Sequence, residues 1–438
     1  MSAALISRAD SVINDVLNAV AHAQEDIVVK SPPGAGKTRL LEDISALCVM
    51  HLQKTVMIAC PSNDQADDVT ARIAKAFPQI AVDRFVASSG GVPASLAGLA
   101  NVTVVSDTQR LTAPVTIGTV AKFCEIDGLP FDRDFALYDE AYQVKNVDML
   151  RTGQLAHRRI AIGDPGQIDP ITRSSTRHFA RDPQGPHVAA PKAMLAANTA
   201  RAFHLPLSRR LPQDTVDVVQ PAFYPGHTFD GVAAAGQRYI DASAHGATPA
   251  DRLLDRALAA GSLSMIALPA GIMPVVDPEI VDLVAELVRR LTTRRFMVHD
   301  DDGSALLRPE DIGVVAFRRH QVSALRGALG NAFSAVNIET ANRFQGLERK
   351  VIVSLHPLSG KARLDRFSTE GGRLCVAASR HRVNCIVVTR VGVTETLDRF
   401  APDDGRYLGQ TEDPYFDGWM AHATFMIKLE DRNRVIRP

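Results

Sequence analysis

One stretch constrains this chain more than any other: residues 27–44, IVVKSPPGAGKTRLLEDI. The β-branched run Ile27–Val29 leads into a turn made of Ser31, Pro32, Pro33, Gly34, Ala35 and Gly36, and apolar positions at helical spacing (Leu40, Leu41, Ile44) follow at once. Strand, glycine-rich turn and helix in that order form an anion cradle, because backbone N–H groups and the positive end of a helix converge on one point. In such a cradle Lys37 reaches the β- and γ-phosphates of a bound ATP and the Thr38 hydroxyl ligates Mg²⁺. Residues Pro33, Gly34, Ala35, Gly36, Lys37, Thr38 and Arg39 are therefore the candidate nucleotide-binding set. Ser31 stands where the pattern G-x-x-x-x-G-K-T has its first Gly, and Gly34 and Gly36 keep most of the conformational freedom. A plain Gly-Pro turn with an exposed lysine explains neither the apolar strand before the turn nor the helix after it.

A phosphate cradle of this kind belongs to an α/β sheet, and the remaining pattern agrees. Candidate strands are Ile27–Val29, Val56–Cys60, Val115–Gly118, Ala136–Tyr138 and Ile160–Ile162, then Ile312–Phe317, Val351–Leu355 and Ile386–Val388. Helical periodicity runs through Ala66–Ala76, with Asp64 or Asp67 at its start, and through Ile280–Leu291 after Asp277-Pro278. Strands alternating with helices imply parallel sheets covered on both faces. They fall into two groups, before about residue 165 and after about 310, as about 100–200 residues per domain allows for 438 residues. Residues 172–262, rich in Ala, Pro, His and Arg, read as loops and a connector, and no role is assigned to the tail with the single Trp419.

A carboxylate pair should follow the cradle on a neighbouring strand. ALYDEAYQV, residues 136–144, supplies it: Asp139 would hold Mg²⁺ through water and Glu140 would polarise the attacking water. Asp-Glu after a strand is by itself more often a helix cap; a phosphate loop upstream reverses the odds.

Composition excludes other classes. Lys plus Arg equals Asp plus Glu at 49 each, so a nucleic-acid partner must be held by a local basic surface. The longest nearly apolar stretch, Met265 to Met273, is too short to span a bilayer. The opening MSAALISRAD has no basic region before an apolar core, which gives a cytoplasmic expectation. Five cysteines without CxxC spacing argue against a disulfide framework and a zinc site.

The motifs taken in order resemble those of superfamily 1 helicases. ACPSNDQADDVTARI (59–73) looks like the motif that touches the nucleic-acid backbone, through Pro61, Ser62 and Asn63, and IGTVAKF (117–123) like the strand-contact motif that carries Thr119. GDPGQIDP (163–170) resembles the motif whose Gln, here Gln167, senses the γ-phosphate. LPLSRRLP (205–212) and RLCVAASRHR (373–382) resemble the two arginine-finger motifs, with Arg210 (Arg209 in reserve) and Arg380 as the fingers. IGVVAFRRHQV (312–322) is similar to the opening strand of the second domain, and IETANRFQGLERKVIV (338–353) to a motif in which Gln345, Gly346 and Glu348 face the nucleotide and Thr340 the strand. The D-E-A-x-Q of Asp139–Gln143, the Q-x-x-P of Gln167–Pro170 and the FYPG of Phe223–Gly226 resemble the branch that includes the nonsense-mediated-decay helicases, which works 5′ to 3′. Two departures stand out. The upstream Gln that reads adenine has no counterpart in Leu5–Asn18, where Asp10 takes the place, and Ser379 replaces the commoner Thr.

The resemblance implies two tandem RecA-like P-loop domains, α/β with parallel sheets, with ATP and Mg²⁺ in the cleft between them and a single strand across their tops. The expected bounds are 1–205 for the first domain, 206–305 for a connector and accessory region with the start of the second domain, 306–400 for the second core and 401–438 for an extension. The expected function is an ATP-dependent helicase, monomeric, acting on single-stranded nucleic acid, DNA rather than RNA. Its rival is a nucleotide-controlled clamp that does not separate strands. His157, Arg158 and Arg159, and the run Arg289, Arg290, Arg294 and Arg295, read as structural charge, while Arg318, Arg319 and His320 divide evenly between structure and strand contact.

Overall fold

The computed structural model describes residues 2–88, 91–126, 131–172, 175–179, 181–242, 246–273, 275–406 and 412–438, and every predicted site residue lies among them. The chain forms two RecA-like α/β units. One comprises Ala3–Pro165 and Asp169–Pro206, the other Gly166–Ile168 and Leu207–Pro438.

The first unit is built on eight parallel strands: β1 (Asp26–Lys30), β2 (Val56–Cys60), β3 (Val82–Phe85), β4 (Val102–Val105), β5 (Val115–Thr119), β6 (Arg133–Tyr138), β7 (Ala156–Gly163) and β8 (Ala200–His204). Their order across the sheet is β4-β3-β5-β2-β6-β7-β1-β8. Alternate residues of each strand point to opposite faces, so the sheet carries two cores. Ile27, Val29, Ile58 and Ile117 fill one, and Val28, Met57, Ala59 and Tyr138 the other. Burial on both faces gives the central strands their unbroken apolar runs. The edge strands β4 and β8 are partly exposed and carry polar residues such as Thr103 and Arg201, so neither stands out in the sequence. The helix over 63–76 begins at Ser62, not at Asp64 or Asp67. Ser62 is extended, and its hydroxyl accepts from the Gln65 N–H.

The second unit has six parallel strands in the order Asn337–Thr340, Ile312–Ala316, Arg349–Leu355, His381–Arg390, Leu263–Leu268 and Val435–Ile436. Two of these come from places where the sequence shows no core. Leu263–Leu268 lies in the stretch expected to hold the connector and the start of the second domain, is not among the candidate strands, and pairs along its whole length with the strand from His381. Val435–Ile436 comes from the tail and closes one edge. The weakly periodic stretch over 172–262 also folds: it holds β8 and the helices Ala190–Ala196, Gln213–Phe223 and Pro249–Ala259. A capping box between Thr248 and Asp251 starts the last of these, and Pro221 sits inside the second, which hides it from a periodicity reading. The tail helix Pro414–Asp431 packs on Gln213–Phe223, with Phe223 and Phe425 rings 5.8 Å apart. Trp419 donates to the Leu397 carbonyl at 2.9 Å, and Arg434 bonds Asp214 at 3.1 Å. Tyr239–Asp241, Met297–Asp300 and Gly303–Leu306 make a small antiparallel sheet inserted into this unit. Among the described residues, no helix is long and apolar enough to cross a membrane.

Candidate functional site

The loop after β1 is fixed at both ends. The Ser31 N–H donates to the Gly163 carbonyl at 2.9 Å, and the Ala35 N–H to that of Pro32 at 3.2 Å. Gly34 (φ 71°) and Gly36 (φ 95°) both take left-handed backbone that a β-carbon would strain. Gly36 is the N-cap of the helix Lys37–Ala46 and brings no capping side chain. The first N–H groups of that helix therefore lack intrahelical partners, the condition an anion site requires. Pro33 and Ala35 are buried, and Lys37 and Thr38 are half-buried. Arg39, by contrast, is exposed and pairs with Asp43 one turn on at 3.0 Å, outside the loop.

The carboxylate pair meets this loop. Lys37 Nζ lies 2.7 Å from Glu140 Oε1. Asp139, at the end of β6, accepts from the Glu140 N–H at 2.9 Å. Glu140 itself has φ 48°, a left-handed backbone seldom held by a residue with a side chain and characteristic of functional turns. Burial first, and the Glu140 charge second, push the Asp139 carboxyl above its usual range, against the pull of Lys37. Two buried carboxylates facing one lysine leave a negative excess that a divalent cation would neutralise. With the uncapped helix start beside it, this set fits Mg²⁺ and a triphosphate. Gly163 locks the arrangement: a β-carbon there would stand 2.9 Å from the Ala141 nitrogen and 3.0 Å from that of Tyr142. One residue thus holds both the loop and the carboxylate turn.

The strand-contact candidates of the first unit lie on the same edge of the sheet. Cys60 and Thr119 are partners in adjacent parallel strands, so Pro61, Ser62 and Asn63 follow β2 where Thr119 ends β5. Ser62 and Asn63 are exposed. The Thr119 hydroxyl accepts from the Lys122 N–H at 3.1 Å. Arg84, which sequence reasoning did not find, is buried and holds this corner, bonding Asp67 at 2.7 Å, Asn63 Oδ1 at 3.0 Å and the Phe85 carbonyl at 2.6 Å. A lone buried arginine leaves no pattern in a sequence. Gln167 is buried and belongs by its contacts to the second unit, where a β-carbon on Gly372 would stand 2.5 Å from its carbonyl. Gly166 beside it lies so close to the Tyr224 ring, from the FYPG segment, that a β-carbon there would collide with it.

In the second unit the candidates divide between the two ends of the sheet. Thr340 ends its strand, in register with Ala316. Glu348 and Arg380 instead stand just before the first residues of their strands, Arg349 and His381, and the Arg349 N–H donates to the Arg380 carbonyl at 2.9 Å. Arg210 joins them, with Nε 2.7 Å from Glu348 Oε2 and Nη1 3.5 Å from the Ser379 carbonyl. Burial works against ionised Glu348, yet Arg210, with Arg382 and Arg380 near, holds its carboxyl below the usual range. Arg209 is exposed and Arg210 half-buried. Arg380 is buried to 1% exposure, and Gly346 takes φ 80°. Gln143 Nε2 and Gln345 Nε2 are buried donors without a hydrogen-bond partner among the described residues, one in each unit.

Several side chains of the other basic clusters make internal contacts. Arg158 donates to the carbonyls of Ala19, Val20 and Glu25 where the first helix ends, and Arg159 pairs with Asp26 at 2.6 Å. Arg290 and Arg294 pair with Glu286, Asp251 and Asp255. Arg318 lies over the Phe367 ring at 4.5 Å, and Asp10 is exposed on the helix Ser2–His22.

Residues 275–391 match the family described as AAA domain. The chain is 23% identical over 262 residues to the DNA replication ATP-dependent helicase/nuclease dna2 of Schizosaccharomyces pombe, a stretch that is 58% of this chain and 18% of that protein. Among solved structures it is similar to the Arterivirus nonstructural protein 10 helicase (13% identity, TM-score 0.44, 85% of this chain and 60% of that one). It is likewise similar to the PRRSV helicase (16% identity, TM-score 0.43, 89% and 57%). The chain thus spans under a fifth of the curated relative and about three-fifths of the solved chains.

Proposed function

We propose that this chain is an ATP-hydrolysing superfamily 1 helicase motor that moves 5′ to 3′ along a single strand, DNA rather than RNA, as a monomer in the cytoplasm. The observation that carries the reading is the cluster of Lys37, Asp139 and Glu140 at the uncapped start of the helix Lys37–Ala46. Glu140 takes a proton from the attacking water and orients it, while Lys37 leaves its carboxylate partner for the phosphates. Thr38 and Asp139 would hold Mg²⁺, which supplies positive charge to the phosphate oxygens. Arg210 and Arg380 act as fingers that stabilise charge in phosphoryl transfer, and Gln345, Gly346 and Glu348 flank them. Gln167 couples nucleotide state to the strand, which Pro61, Ser62, Asn63, Thr119 and Thr340 contact through its backbone. Advance along the strand requires that nucleotide state change strand affinity.

The 23% likeness to a DNA replication helicase/nuclease favours DNA. The spelling of Asp139–Gln143, Gln167–Pro170 and Phe223–Gly226 favours the 5′-to-3′ branch. The test is ATPase activity titrated with single-stranded DNA, single-stranded RNA and duplex, beside unwinding of partial duplexes with a 5′ or a 3′ tail. Stimulation by single-stranded DNA with unwinding of the 5′-tailed substrate supports the reading. Stimulation without any unwinding makes the chain a clamp, and unwinding confined to the 3′ tail overturns the direction.

A further inference from the structure

The side chain that organises the arginine cluster of the second unit belongs to none of its motifs. Arg238 is buried, at 3% exposure, just before the small antiparallel sheet. A guanidinium has five N–H donors in a rigid planar fork, and here all five are engaged. Nε bonds Asp301 Oδ1 at 3.0 Å and Nη2 bonds Asp301 Oδ2. Nη2 also reaches the Arg209 carbonyl at 2.8 Å, and Nη1 reaches those of Arg210 at 2.6 Å and Arg382 at 3.3 Å.

These acceptors come from three separate segments. Asp301 lies in the turn between Met297–Asp300 and Gly303–Leu306, Arg209 and Arg210 in the first candidate finger loop, and Arg382 two residues beyond the second candidate finger. Asp301 sets the orientation of the fork by binding it at two atoms, so the fork in turn sets where the two carbonyls of the finger loop sit. Arg210's side chain leaves that fixed backbone to reach Glu348. Carbonyl ligation adds no charge to the cluster and confers no contact with substrate. What it supplies is position.

We propose that Arg238, held by Asp301, is a positioning residue that sets the reach of Arg210 in the hydrolysis reaction. The proposal rests on the motor reading above. The inserted antiparallel sheet then has a catalytic consequence: through the turn at Asp301 it carries one end of the clamp.

The experiment is a double-mutant cycle on single-stranded-DNA-stimulated ATPase of the full chain, with Arg238→Lys, Arg210→Ala and the pair. Arg238→Lys keeps the charge and loses the fork. Misplacing a reacting group by about 1 Å costs roughly 10²-fold, so kcat should fall by about that factor with KM for ATP little changed. With Arg210 already removed, the same substitution should cost about twofold or less, since nothing remains to position. Asp301→Asn, at a half-exposed site, should reproduce the pattern more weakly, and it serves as the readout if Arg238→Lys does not fold. Losses that multiply in the pair would overturn the proposal, as would an Arg238→Lys enzyme with unchanged kcat. The motor reading fails differently: no strand-stimulated ATPase in the unsubstituted chain would remove it and the proposal together, whereas full activity in Arg210→Ala would overturn the proposal alone.

Discussion

The two units use the same parallel sheet in opposite ways. In the first, the phosphate loop, the carboxylates and the strand-contact candidates all lie at the carboxyl ends of strands: β1, β6, β2 and β5. In the second, Thr340 and Arg318 lie at the carboxyl ends, whereas Glu348 and Arg380 precede the amino ends. A carboxyl edge is where the next helix begins, so the backbone itself supplies N–H groups and dipole for an anion. An amino edge has no such endowment. Positive charge there must come from side chains, and these need supports: the Glu348 carboxylate accepts from the Arg210 guanidinium, and Arg238 donates to the Arg210 backbone carbonyl. The first unit is therefore a binding surface with chemistry added, the second a set of charges with supports added.

The contrast breaks most sharply at Lys37 and Glu140. Both Lys37→Ala and Glu140→Gln should lower hydrolysis by roughly 10²- to 10⁴-fold, the range for loss of a general base or a charge-stabilising donor. Their binding should differ. Removing Lys37 deletes a charge-assisted bond worth about 1.5–3 kcal/mol, so nucleotide affinity should fall at least tenfold. Glu140→Gln keeps shape and relieves the like-charge pressure on Asp139, so it should bind nucleotide as tightly as before and trap it with the strand. Single-turnover hydrolysis beside a fluorescent-nucleotide titration reads both. Equal loss of affinity in the two variants would sink these roles.

The corresponding experiment on the second unit is Arg380→Ala. If that unit contributes charge rather than binding, turnover should fall by roughly 10³-fold, the scale of an arginine finger, with nucleotide affinity little changed. Arg380 is buried, so Arg380→Lys with a melting curve controls for misfolding. A loss below tenfold in a folded variant would show that Arg380 is not a finger.

The same contrast explains what was legible in the sequence. Backbone-built features leave spaced residues behind: the glycines of the phosphate loop, Asp139-Glu140 after an apolar strand, and the central strands buried on both faces. Local spacing alone places all of these. Features built from long-range side-chain contacts leave nothing local. Arg84 and Arg238 are single arginines in unremarkable surroundings, and their partners lie at Asp67 and Asn63, or 28 and 63 residues away at Arg210 and Asp301. The strand Leu263–Leu268 and the closing pair Val435–Ile436 are hidden for a related reason. Each completes a sheet whose other strands come from distant sequence, and neither is flanked by a motif.

The smallest effect separates the strand-contact candidates themselves. Ser62 caps the fourteen-residue helix Asn63–Ala76 through its hydroxyl, at 3.3 Å from the Gln65 nitrogen. Thr340 also precedes a helix, Ala341–Phe344, but makes no capping bond. In the first unit, then, the hydroxyl proposed to meet the strand also caps a helix, and in the second it makes no such bond. Ser62→Ala should cost about 1 kcal/mol of stability as a lost cap, a fall of roughly 2–4 °C in Tm for a unit of this size. Thr340→Ala should stay within about 0.5 kcal/mol of the parent. Each should weaken single-stranded-DNA binding by about 1 kcal/mol, roughly fivefold, the net worth of one hydrogen bond to a phosphate. Thermal melting and fluorescence anisotropy on the same preparations measure the two quantities. Equal Tm shifts in the two variants would remove the distinction between the units at this edge. An unchanged affinity in Thr340→Ala would take Thr340 out of the strand path while leaving Ser62 in it, because the two predictions draw on different bonds.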